Sequence, residues 1–246
     1  MSPARVLAYV STLGLIACGS SNAASLVSRA PPSAGEQLEP RCIKGRLDPR
    51  PLVVALSSAD KLAMESRVRS GLLVVKYADC AMELLPRCTA EGTYKYWGGT
   101  LKRDTIGAKN EDELFARIPL GAAHLSGKLR SSGKISVAMA SAGRFETDGV
   151  GPDARALEGD CAGATHWVSA LTVGAYRMAA GTDAEARAEA ALFGAAAGGA
   201  STSSYEALSE DGEGAACGKA ADGDTRPPRG CGALLRLEVQ PLKGGP

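Results

Sequence analysis

The chain has 246 residues, with 28 Lys and Arg against 27 Asp and Glu, 45% hydrophobic and 4% aromatic residues. A near-zero net charge without a basic run excludes the electrostatic footprint of a nucleic-acid binder or a polybasic membrane patch. Length and apolar content allow one large or two small domains with an aliphatic, alanine-rich core, and argue against wholesale disorder.

In chain order, Arg5 is the only charge ahead of the apolar run Val6–Ala17. The run is too short to span a bilayer and has the charged and apolar regions of a secretory signal. Leu15-Ile16-Ala17-Cys18 resembles the lipobox of bacterial lipoproteins, in which Leu, two small or apolar residues and Cys stand in that order. The resemblance implies cleavage of residues 1–17 as a signal peptide, and a thioether-linked diacylglycerol on Cys18, with palmitate-type acyl chains. At about 0.8 kcal/mol per buried CH₂, several such chains anchor a protein stably without a membrane-crossing segment. Gly19 follows where some bacteria place an Asp that retains lipoproteins at the inner membrane, so the implied anchor leans toward the outer membrane. Residues 18–40, rich in Ser, Ala, Pro and Gly, read as the acylated Cys and a flexible tether. Residues 41–246 read as a single domain.

Within that domain, the apolar run Pro51–Leu56, the Ser57-x-x-Asp60 helix start and the apolar run Leu72–Tyr77 predict strand, helix, strand, with the helix reaching about Ser70. Met82–Leu85 and Thr93–Trp97 read as short strands, the second with Tyr94 and Tyr96 on one face. Asn110 with Glu113 marks another helix start, and Pro119 and Gly121 kink or split the helix that follows. Lys134–Phe145 alternates as a half-buried antiparallel strand, with Ile135, Val137, Met139 and Phe145 on one side. Thr165–Met178 is a longer strand, Asp183–Ala197 favours helix, and Leu235, Leu237 and Val239 alternate in a last strand. The sum is an α+β fold with a largely antiparallel sheet and flanking helices.

With Cys18 assigned to lipid, six cysteines remain: Cys42, Cys80, Cys88, Cys161, Cys217 and Cys231. An even number in an exported chain predicts disulfides, with about fifteen pairings open. Proximity favours Cys80 with Cys88 and Cys217 with Cys231, leaving Cys42 for Cys161. Zinc sites show close pairs such as C-x₂-C. None occurs here, so no metal and no cofactor is expected.

Among chemical motifs, Ser58-Ala59-Asp60-Lys61 has the S-x-x-K spacing of a Ser nucleophile with a Lys base, but it also reads as a capped, charged helix start. The histidines are His124, in an amphipathic segment, and His166. Gly163, Thr165, His166, Trp167 and Gly174 resemble the signature motif of the membrane-attack-complex/perforin family. Here Ala164 is inserted and Ala175 stands in place of the second Gly. That resemblance implies a bent central sheet, with Gly174 at a bulge or close approach, flanked by two helical clusters that refold into the membrane. Residues 111–131 and 183–210 would have to be those clusters. The competing reading makes His166 the start of an ordinary strand with Trp167 in the core. These readings predict a non-enzymatic, lipid-anchored envelope lipoprotein with a binding or assembly role and an unnamed partner. A pore-forming or membrane-remodelling protein is the alternative, and an envelope enzyme the third.

Overall fold

The computed structural model describes residues 48–78, 81–147, 149–194 and 205–244. The first half runs α1 (Ser58–Arg67), β1 (Val74–Ala78), β2 (Ala81–Leu84), β3 (Cys88–Thr89), β4 (Lys95–Ala108), α2 (Glu111–Arg117) and α3 (Ala122–Ser132). The second runs β5 (Ile135–Glu146), β6 (Glu158–Gly159), β7 (His166–Ala180), α4 (Ala184–Phe193), β8 (Glu206–Asp211), α5 (Gly214–Cys217) and β9 (Ala233–Pro241). Cys18, Cys42 and Cys80, and the stretch that would carry the signal and tether, lie outside the described residues.

Helix starts follow local chemistry. The Ser57 hydroxyl accepts the Asp60 amide at 3.1 Å, and the Asn110 side-chain oxygen accepts the Glu113 amide at 2.9 Å, each satisfying an otherwise orphaned N–H. Between α2 and α3 the chain breaks at Pro119–Gly121. Gly121 has φ 89°, and a Cβ there would meet the Ala55 Cβ at 2.8 Å. Only glycine makes that turn without strain. The helix from Ser57 stops at Arg67, short of Ser70, and the one after Asp183 ends at Gly194 in the left-handed conformation.

Among the described residues the main sheet has seven strands, all paired antiparallel, with a separate β3–β6 ladder. Its spine is β7. One edge of β7 pairs first with β1 and then with β5, and the other pairs with β9 at residues 166–174 and with β8 at 176–180. β4 closes the far side of β5. The α+β reading with a largely antiparallel, disulfide-stapled sheet therefore holds.

Several local expectations change. Pro51–Leu56 is fully apolar and mostly buried, but it forms one bridge, Leu52 with Arg236, rather than a strand. It serves as a plug, with Val53 donating to the Leu235 carbonyl at 3.0 Å. Of the short strand expected at Thr93–Trp97, Lys95–Trp97 opens the long β4, whose second half, Lys102–Ala108, is held by its register with β5. β5 itself is buried on both faces up to Ala140 rather than half-buried, because helices cover each side. A register shift between Ser141 and Gly143 then turns Phe145 into a different cluster from Ile135, Val137 and Met139.

The pairing of Cys88 with Cys80 also fails. Cys88 is bonded to Cys161, because β3 and β6 bring two segments 73 positions apart to a Cα separation of 4.7 Å. Cys161 is thereby unavailable to Cys42. Cys217–Cys231 forms as proximity suggested, with Cα atoms 5.0 Å apart.

Candidate functional site

Residues from five separate parts of the chain converge on a cavity of about 680 Å³. Its walls are Val68 after α1, Tyr94 ahead of β4, Phe145 near the end of β5, Leu234 in β9, and Pro227 and Pro228 from the loop between α5 and β9. The Cys217–Cys231 disulfide ties that loop back to α5. An adjoining hollow of about 630 Å³ shares Tyr94 and Phe145 and adds Tyr96 and Trp97. A chain with few aromatic residues thus places four of them along one groove. Trp97 is 58% exposed, unusual for so large an apolar side chain.

The aromatic wall is rigid. The Tyr94 hydroxyl donates to the Val168 carbonyl at 2.7 Å and accepts the Leu73 amide at 3.1 Å. Burial pushes this phenol well above the ordinary tyrosine range, so it stays protonated and locked. The Tyr96 hydroxyl donates to the Ala142 carbonyl at 3.3 Å, and its ring lies 5.2 Å from that of Phe145. Burial, and then the Asp224 carboxylate, raise its pKa as well.

Four charged side chains also line the cavity: Glu65 from α1, Asp211 from the end of β8, Arg69 and Arg226. Glu65 and Asp211 are partly buried, and the arginines are exposed. Burial and then repulsion from Asp211 hold the Glu65 carboxyl above its ordinary range, with Arg69 and Lys61 opposing. The cavity therefore combines apolar surface with charge of both signs, which suits it to hold a ligand.

The residues singled out by sequence motif fall elsewhere. Ser58 is exposed, whereas Lys61 is 5% exposed and donates to the Tyr176 hydroxyl, itself 2.8 Å from Ser209 Oγ. Lys61 is thus a buried tie between α1, β7 and β8 rather than part of a charged surface start. His124 is exposed. His166 opens β7, with its Nδ1 2.9 Å from Thr165 Oγ1 and its ring edge-on to Tyr77, and burial lowers its pKa. Neither histidine lines the groove.

The remaining motif residues fasten the start and the middle of β7. Gly163 turns at φ 80°, Thr165 Oγ1 accepts the Tyr77 amide at 2.9 Å, and Trp167 is buried against Leu72 and Val74. Gly174 pairs with Ser141 and Ala233, and a Cβ there would overlap the Ala140 carbonyl oxygen. A close approach of strands requires glycine at this position. The groove residues escaped sequence reasoning because they share no spacing. Their one sequence signal is the Tyr94–Trp97 aromatic cluster in an aromatic-poor chain.

No protein family model matches the chain, and no curated protein matches it. One solved structure, described as "Trapped Toxin", is similar over 61% of this chain and 42% of its own, with 14% identity and a TM-score of 0.32. The chain thus spans about two fifths of the length of that structure's chain.

Proposed function

We propose that this chain is a lipid-anchored cell-envelope lipoprotein whose folded body binds a ligand in the groove without transforming it. The observation that carries the binding role is the cavity of about 680 Å³, with its aromatic wall and four charged side chains of both signs. Two disulfides support an oxidising compartment, as expected of an exported protein. The lipobox-like Leu15–Cys18 supports the anchor. Mass spectrometry of the membrane fraction tests it. An acylated peptide beginning at Cys18 is expected in the wild type and lost in Cys18→Ala. Recovery of an intact, unacylated chain from the soluble fraction would overturn the anchor.

A second reading, a pore-forming or membrane-remodelling protein like the membrane-attack-complex/perforin family, is favoured by one observation. β4, β5, β7 and β9 lie side by side, with helices in the β4–β5 connection (α2, α3) and between β7 and β9 (α4, α5), and Gly174 sits at a close approach in the third of these strands. Release of a trapped dye from vesicles by the purified protein is expected under this reading. Under the first reading the vesicles stay sealed.

A further inference from the structure

The proposed binding role leaves open what the groove selects, and its charges narrow the answer. Glu65 and Asp211 line one cavity, where the Asp211 carboxylate repels Glu65 against the pull of Arg69 and Lys61, and a cation beside the two carboxylates would relieve that repulsion. Arg69 and Arg226 border the same cavity, and guanidinium forks suit phosphate oxygens in bidentate geometry. The two carboxylates and two guanidiniums cancel, so a ligand of either single sign meets like charge somewhere on the wall. Val68, Phe145 and Leu234 line the same cavity and offer hydrocarbon contact without polar side-chain groups. Tyr94 adds an aromatic ring on which an ammonium is attracted.

We infer that the groove takes a zwitterionic single-chain amphiphile of the phosphoethanolamine type. Its ammonium lies by Glu65 and Asp211, its phosphate by Arg69 and Arg226, and its hydrocarbon along Val68, Phe145 and Leu234. This rests on the binding role proposed above. It adds a ligand class that neither the sequence motifs nor the likeness to known proteins supplies.

The test is calorimetric titration of the purified protein with four lauroyl or dodecyl probes below their critical micelle concentrations. These are lysophosphatidylethanolamine, lysophosphatidylglycerol, dodecyl maltoside and dodecyltrimethylammonium. The zwitterion is expected to bind saturably and about tenfold more tightly than each of the others, a difference of roughly 1.4 kcal/mol. Glu65→Gln with Asp211→Asn should abolish its advantage over the anionic probe, and Arg69→Gln with Arg226→Gln its advantage over the cationic one. A cooperative melting transition, no lower than that of wild type, would show that each variant is folded. Equal binding of the neutral and zwitterionic probes, unaffected by these variants, would overturn the ligand class and leave the binding role standing. Failure of every probe to bind folded wild type would overturn both.

Discussion

The two faces of β5 and β7 are covered in opposite ways. One presents Ile135, Val137, Met139, Tyr176 and Met178 to α2 and α3, which answer with Leu114, Ile118 and Leu129. The other presents Ala138, Ala140, Ala142, Ala175 and Ala179 to α4, which answers with Ala184, Ala188 and Leu192. Large and small side chains alternate along β5, so both patterns arise from one period-two sequence. The large-residue face draws its stability from apolar area, at about 25 cal/mol per Å² removed from water. Alanines bury little area but let α4 approach the sheet closely. Cys217 and Cys231 are fully buried in that same alanine layer, so a covalent bond reinforces the face with less hydrophobic surface.

This contrast can be broken or sharpened by mutation. Leu114→Ala should show the largest loss, about 2–5 kcal/mol, because the surrounding helices and sheet close only partly over the vacated volume. Denaturant unfolding measures it. Replacing both Cys217 and Cys231 by Ala should cost about 3 kcal/mol, the chain-entropy value for a loop of this size. A loss exceeding that of Leu114→Ala would reverse the comparison.

Ala140→Leu probes the alanine face from the other direction. Overpacking against the α4–α5 layer should cost about 1–3 kcal/mol, whereas a neutral result would mean that the layer has slack. Asn110→Ala, which removes the cap of α2, should lower stability by about 1 kcal/mol with no change in the sheet's circular dichroism.

The smallest effect concerns pH. Glu65 has a raised pKa in the fold, so its favourable contribution is present below its ordinary 4.5 and is lost as pH rises through the raised value. Glu65→Gln should therefore melt higher than wild type at neutral pH and match it below that range. A melting difference independent of pH would show that Asp211 and burial do not act on this carboxyl.

What could be read from the chain was local. Ser57 and Asn110 announce their helices because a cap is a three-residue matter, and Pro119–Gly121 marks the break for the same reason. The alternation of β5 and β9 is likewise carried by the strands themselves. β4 was not legible to its full length, since residues such as Gly98, Gly99, Lys102 and Arg103 have no strand preference and owe their conformation to β5. β8 was missed because Glu206–Asp211 is polar and is specified by the free edge of β7.

The Cys88 partner and the groove depended on tertiary proximity. Cys161 lies near Cys88 only once β3 meets β6, and Glu65, Tyr94, Phe145, Asp211 and Arg226 become neighbours only after α1, the sheet and the α5–β9 loop have docked.

The Cys88–Cys161 bond has one more consequence. It encloses β4, α2, α3 and the whole of β5 in a covalent ring. A protease that cuts any loop within this ring produces two fragments that still migrate as one molecule until a reductant is added. Two of the seven strands of the main sheet are in this sense leashed, and damage to the α2–α3 turn alone does not shed them.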